Sequence, residues 1–196
     1  MPPDEDLTRR LLQGTLELLA SRGLDGLDAD ALASWTGAGT AAVHLRWGDM
    51  GEAAAAALGT CVLIPQAPDT GSLQGDLSRL LRHLARPLTR QEHAAAALLG
   101  QARHDTRIQR ALEEAVVLPL AGAFAALIGH HTGRGHVVAP APRRLSGTMV
   151  QTLWWDRYLT RQPITTASHT DRVVDQVLVP LLGRAPPPDN FRTIQS

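Results

Sequence analysis

TGAGTAAVHLRWGDMGE, residues 36–52, is the stretch whose reading decides the fold. It holds a glycine turn, a short helical run, an aromatic stop and an Asp-led start of another helix. Just before it, Asp28 stands where an N-cap is wanted, and a helix over 29–36 ends at Gly37. Two short helices joined by a glycine turn can set one exposed helix face into a DNA major groove. Ala33 is small enough for close helix crossing, Ala41 and Val43 are expected inside, and Trp47 closes the far end. The outward set is then Gly39, Thr40, Ala42, His44, Leu45 and Arg46.

Outward from this stretch the chain reads as all-α, because Ala and Leu dominate and apolar positions recur at helical spacing. A first helix is expected over 6–21, capped by Asp6, with Leu7, Leu11, Leu12, Thr15, Leu18 and Leu19 on its apolar face. The third helix is expected over 40–47, and a fourth from Asp49 to about Leu63. PQAPDTG, residues 65–71, reads as a linker. Beyond it a fifth helix, capped by Ser72 or Thr70, carries Leu73, Leu77, Leu80, Leu81 and Leu84 until Pro87. A sixth covers 90–103. The seventh starts near Asp105 and is expected to kink at Pro119. HHTGRGHVVAPAP, residues 130–142, reads as a loop, with helices over 143–161 and 169–182 after it. The organisation is a head over 1–64, a body over 65–183 and a flexible tail over 184–196.

Composition narrows the class. The 196 residues carry 19 cationic and 19 acidic side chains, and every cation is Arg, so whole-chain charge points to no partner. One cysteine, Cys61, excludes an internal disulfide and fits a reducing cytosol. The acidic N-terminus lacks a signal-peptide pattern, and no apolar run approaches the roughly 18 residues of a bilayer span. A cytoplasmic protein with no membrane partner is expected. His130, His131 and His136 have no carboxylate or Cys cluster nearby in sequence, so no metal is expected. No phosphate-cradling glycine loop or hydrolase elbow is present, and no cofactor is expected.

Residues from Leu7 to Leu58 resemble the N-terminal domain of the TetR family of bacterial transcriptional regulators. LLQGTLELLASRGLDGLDADALASWTG corresponds to the family's helix, RG-x-x-G, helix, AG run. AVHLRW occupies the place of its TLYRRW or TLYYHF recognition helix, and GDMGEAAAAAL resembles its S-K-E-x-L opening of helix 4. The resemblance implies a DNA operator as partner, a homodimer, and a body that encloses a small, mainly apolar effector. Leu84, Leu98, Phe124, Met149, Trp154 and Tyr158 are the candidate effector contacts. Helix 9 places Val173, Val174, Val177, Leu178 and Leu181 on one stripe, which with Trp155 is expected to build a two-fold interface.

The chain departs from the family at the reading helix. Gly39 stands for a frequent Ser, Thr40 for Lys or Arg, Ala42 for Thr, His44 for Tyr, and Met50 for a helix-4 Lys. Residues 1–60 hold four Arg against nine acids, a net charge of −5. DNA-binding faces are normally basic. The primary expectation is a repressor released by its effector. The alternative is a dimeric ligand-binding protein with a degenerate helix-turn-helix and little DNA affinity. An enzyme on a helical bundle is the third.

Overall fold

The computed structural model describes residues 3–135, 139–161 and 166–183, and the described residues are helical with connecting turns. The tail expected over 184–196 and His136 lie outside them. The head contains α1 (Pro3–Arg22), α2 (Ala29–Thr36), α3 (Thr40–His44) and α4 (Met50–Leu58). The body contains α5 (Leu73–Leu81), α6 (Arg90–Ala97), α7 (Thr106–Gly133), α8 (Pro140–Thr160) and α9. Helix α9 begins as Ala167–Val173, widens into a π turn at Val174–Leu178 and ends as Val179–Leu182.

Most helix starts follow their caps. Asp28 Oδ1 accepts from Ala31 N–H at 2.7 Å, and Asp49 Oδ1 from Glu52 N–H at 2.9 Å. Ser72 caps α5, Asp105 caps α7, and Thr89 with Glu92 closes a full capping box on α6. Asp6 is the exception. Helix α1 starts earlier, so Asp6 lies within its first turns and faces Arg9 and Arg10, each at 3.5 Å. Helix α4 ends at Leu58, short of Leu63, and α6 ends at Ala97, followed by a 3₁₀ turn at Gln101–Arg103.

Pro119 and Pro180, well inside body helices, change the helical pitch. Before Pro119 the chain makes a π turn at Glu113–Val117, and Leu118 N–H reaches back to Glu113 O. Before Pro180 it does the same, with Val179 N–H bonded to Val174 O. A proline lacks an N–H and its ring crowds the carbonyl four residues back. A five-residue turn absorbs both problems without ending the helix. The loop expected over 130–142 is largely helical: α7 runs to Gly133 and α8 starts at Pro140. Helix α7 is long and apolar enough to cross a membrane by length and composition. In this fold Ile108, Leu112, Val116, Leu120, Phe124 and Leu127 are buried in the protein's own core.

One hydrophobic core runs from head to body. Leu11, Leu18 and Leu19 of α1 meet Leu32, Val43 and Trp47 of the head, and α1 also lies along α6. Helix α4 packs on α7. Leu32 is fully buried at the centre of the head. Leu32→Ala is therefore expected to cost about 2–5 kcal/mol, as buried Leu truncations do, and a urea titration followed by circular dichroism measures it. A loss well below 1 kcal/mol would contradict this packing.

Candidate nucleic-acid interface and the body behind it

The outward face of α3 follows from one buried side chain. Gly37, at φ 69°, ends α2 in the left-handed region, and its N–H bonds to Ala33 O. Val43 is then driven fully into the head. With about 100° per residue, Trp47 and Thr40 fall beside Val43, while Ala41 and Leu45 fall opposite it. Trp47 is buried, and Leu45 is 85% exposed.

The expected outward set is mostly outward. Gly39, His44 and Leu45 are exposed, and Thr40, Ala42 and Arg46 are half-buried. Ala41, expected inside, is exposed, because it lies on the side of the helix away from Val43. Counting helical angle from Val43 alone would have identified it. Arg46 is engaged within the head: its Nε donates to Thr8 Oγ1 at 2.9 Å and its Nη1 to Ala42 O at 2.9 Å. The guanidinium thus ties α3 to α1.

Behind α3, the start of α4 is joined to the start of α7. Arg107 Nη1 donates to Asp49 Oδ2 at 2.9 Å and Nη2 to Asp105 Oδ2 at 2.7 Å. Both carboxylates are also N-caps, so one side chain links two helix starts across the head–body seam. The paired guanidinium and the capped N–H pull the Asp105 carboxyl down to about 2. Gly51 makes the approach possible, since a Cβ there would stand 2.9 Å from Asp105 Oδ2. Arg90 of α6 pairs with Glu17 of α1 at 2.8 Å along the same seam.

Inside the body lie two charged clusters that the sequence reading missed. The first joins the fully buried Arg157 and Glu92. Arg157 Nη1 donates to Glu92 Oε1 at 2.6 Å, and its Nη2 also reaches the Arg86 and Pro87 carbonyls. Arg86 Nη1 donates to Glu92 Oε2 at 2.7 Å. Burial alone would raise the Glu92 carboxyl, but Arg157 and Arg86 hold it below its ordinary range. In the second cluster, His131 Nε2 lies 2.7 Å from Asp76 Oδ2, both side chains buried. Thr70 N–H completes it by donating to Asp76 Oδ1 at 2.5 Å. His131 thus does have a carboxylate partner, supplied by α5 rather than by its own sequence neighbourhood.

The six candidate effector contacts do not share one cavity. Leu84, Leu98, Trp154 and Tyr158 are fully packed, Phe124 is buried, and Met149 is half-buried. Phe124 lines a cavity of about 380 Å³ between α7 and α8, with Leu120, Val150, Arg143 and Arg144. Trp154 stacks on His83 with ring centroids 6.5 Å apart. Among the described residues Trp154 Nε1 and Tyr158 Oη are both buried without a hydrogen bond, and burial pushes the Tyr158 phenol upward. Of the candidate interface residues, Val174 and Leu178 belong to the subunit's own core. Trp155, Val173 and Leu181 are half-buried and Val177 is exposed.

A glycine-turned pair of short helices and an all-helical body define the class: a helix-turn-helix head carried on a helical bundle. The sequence profile described as "Tetracyclin repressor-like, C-terminal domain" matches residues 67–177. The chain belongs to the TetR family of transcriptional regulators. Among solved structures, it resembles a TetR-family transcriptional regulator from Mesorhizobium loti MAFF303099 with a TM-score of 0.70 and 17% identity, over 93% of this chain and 98% of that one. It resembles a transcriptional regulator from Rhodococcus sp. Rha1 with a TM-score of 0.67 and 18% identity, over 91% and 99%. It also resembles the multidrug binding protein EbrR complexed with malachite green, with a TM-score of 0.60 and 18% identity, over 89% and 97%. No curated protein sequence matches the chain.

The buried ion pair gives a pH-resolved prediction. Removing one partner of such a pair costs about 3–5 kcal/mol, so Glu92→Gln is expected to lose that much at neutral pH. Because the folded carboxyl sits below its unfolded value, its contribution is complete above the ordinary carboxylate range. It is lost as pH falls through the lowered folded value. The stability gap between wild type and Glu92→Gln, measured by denaturant titration across acid pH, is therefore expected to close on acidification. A gap independent of pH would refute this account.

Proposed function

We propose that this chain is a cytoplasmic, homodimeric repressor whose α3 reads an operator in double-stranded DNA. A small, mainly apolar effector, held by the body, releases it. The observation that carries the reading is the presentation of α3. A rigid helix, anchored by Val43 and Trp47, holds Thr40, Ala41, His44 and Leu45 toward solvent or partly so. Thr40 can bond a base or a phosphate, and the methyl groups of Ala41, Ala42 and Leu45 suit a thymine methyl. Gly39 leaves the α3 start open to a phosphate. Arg46 sets the helix against α1 and adds positive potential at its end. An effector role for Leu84, Leu98, Phe124, Met149, Trp154 and Tyr158 draws support from EbrR, a structural relative that holds malachite green. Two half-sites one helical turn apart would match a two-fold dimer. Trp155, Val173, Val177 and Leu181 remain the interface candidates, and exposed Leu145 and Leu159 add apolar surface on α8.

A second reading is favoured by the tethered Arg46 and the acidic head: a dimeric ligand-binding protein that makes little use of DNA. Fluorescence anisotropy with DNA from upstream of the gene separates the two. The repressor binds, and its affinity falls steeply between about 50 and 200 mM salt. Leu45→Glu sets a carboxylate on the outermost position and is expected to weaken binding about tenfold or more, about 1.4 kcal/mol, with the melting temperature unchanged. Arg46→Ala is expected to weaken binding to all sequences alike. Absence of binding at every salt concentration would leave the second reading.

A further inference from the structure

The linker over residues 65–71 lies across α5, and a partly enclosed cavity of about 360 Å³ sits between them. Pro65, Pro68 and Leu80 give it apolar walls, and Gln66, Arg79 and His83 give it polar edges. That volume is in the range of small-molecule sites. The linker is pinned at its far end. Thr70 N–H donates to the buried Asp76, and Arg134 Nη2 pairs with Asp69 at 2.8 Å.

Asp69, the carboxylate on the cavity wall, is taken by Arg134, which with its hydrogen bond holds the carboxyl below its ordinary value. In the neighbouring depression, Asp175 accepts from Gln74 at 2.8 Å and Arg82 faces Asp171 at 3.7 Å. The Arg79 side chain, shared by both hollows, makes no hydrogen bond or ion pair among the described residues. His83 is half-buried, stacks on Trp154, and has its Nδ1 buried without a hydrogen bond among the described residues. Burial and the nearby Arg86 hold the ring below its ordinary pKa, so it is neutral and offers one N–H and one lone pair.

We propose that this cavity binds a small organic carboxylate, with its apolar body against Pro65, Pro68 and Leu80 and its carboxylate on Arg79. A guanidinium holds a carboxylate through two parallel N–H bonds, which an ammonium cannot do. His83 borders the ligand and passes its presence to Trp154 through the ring stack. The apolar walls disfavour inorganic anions, and the unpaired cation disfavours neutral ligands. None of the proposed effector contacts lines this cavity, and the inference does not rest on DNA binding. Because the linker joins head to body, a bound carboxylate would stiffen the segment that spans them.

Calorimetric titration of the full chain, without DNA, tests this with benzoate and octanoate beside benzamide and octanamide. At least one carboxylate is expected to saturate a single site per chain, about tenfold or more tighter than its amide. Arg79→Gln, at an exposed position, is expected to keep the melting temperature and erase that preference. His83→Leu is expected to weaken binding, and the His83 ring resonance to shift with carboxylate. The proposal is overturned if neither carboxylate binds at millimolar concentration, if the amides bind equally, or if Arg79→Gln leaves the affinity unchanged. Should His83→Leu fail to fold, Arg79→Gln decides alone. Operator binding is a separate measurement, so failure of one leaves the other intact.

Discussion

The arrangement depends first on a buried guanidinium. Arg157 has left water completely, and several kcal/mol of desolvation are offset only if its donors are met. Glu92 and the Arg86 and Pro87 carbonyls meet its two Nη groups, and the same carboxylate also accepts from Arg86 and from the Thr89 N–H that opens α6. One acidic group thus fixes the start of α6, the chain that leads into it, and the last turn of α8. Helix α6 in turn lies along α1, the long helix of the head. The head is therefore referenced, through α1 and α6, to a buried charge cluster in the body. An apolar pair of equal volume could be as stable, but it would not define the angle of α6 through directed bonds.

The head follows a different rule, set by packing rather than charge. Val43 inside α3 and Trp47 just beyond its end hold it in place, and a five-residue helix fixed this way has little freedom to rotate. This rigidity accounts for the tethering of Arg46. Its bonds to Thr8 and the Ala42 carbonyl close the gap between α3 and α1, at the expense of reach toward a phosphate. In a head with net charge −5 such a side chain gives shape more than grip. What faces outward is short and mostly apolar, so contacts of this head would favour groove shape and thymine methyls over charge.

Local signals in the sequence were reliable and long-range ones were absent. Asp28, Gly37, Asp49, Ser72 and Asp105 each do what their position in a short motif implies, because a cap acts within three or four residues. Trp47 and Val43 were legible as anchors for the same reason. The pairs Glu92–Arg157 and Asp76–His131 span 65 and 55 residues, and no spacing rule connects them. His131 was further hidden by Gly133 and Gly135, which read as loop although α7 carries through Gly133. The outward place of Ala41 was missed by treating it as a partner of Val43. Two residues apart on a helix means opposite sides, and the buried valine alone fixes the answer.

These features also limit where a switch between head and body can lie. The Glu92 cluster is too costly to open, and Val43 with Trp47 gives the head no second packing. The seam between them is different. Arg107 on Asp49 and Arg90 on Glu17 are partly exposed pairs, individually weak and screened by salt. They nevertheless join helix starts, so a small displacement of α7 acts on the N-cap of α4 and thus on the residues just after α3. Coupling between sites in such proteins amounts to about 1–3 kcal/mol. A few exposed contacts can rearrange within that range, whereas a buried charge pair cannot. On the proposed repressor reading, a body-held effector would act on α3 by shifting α4 on α7.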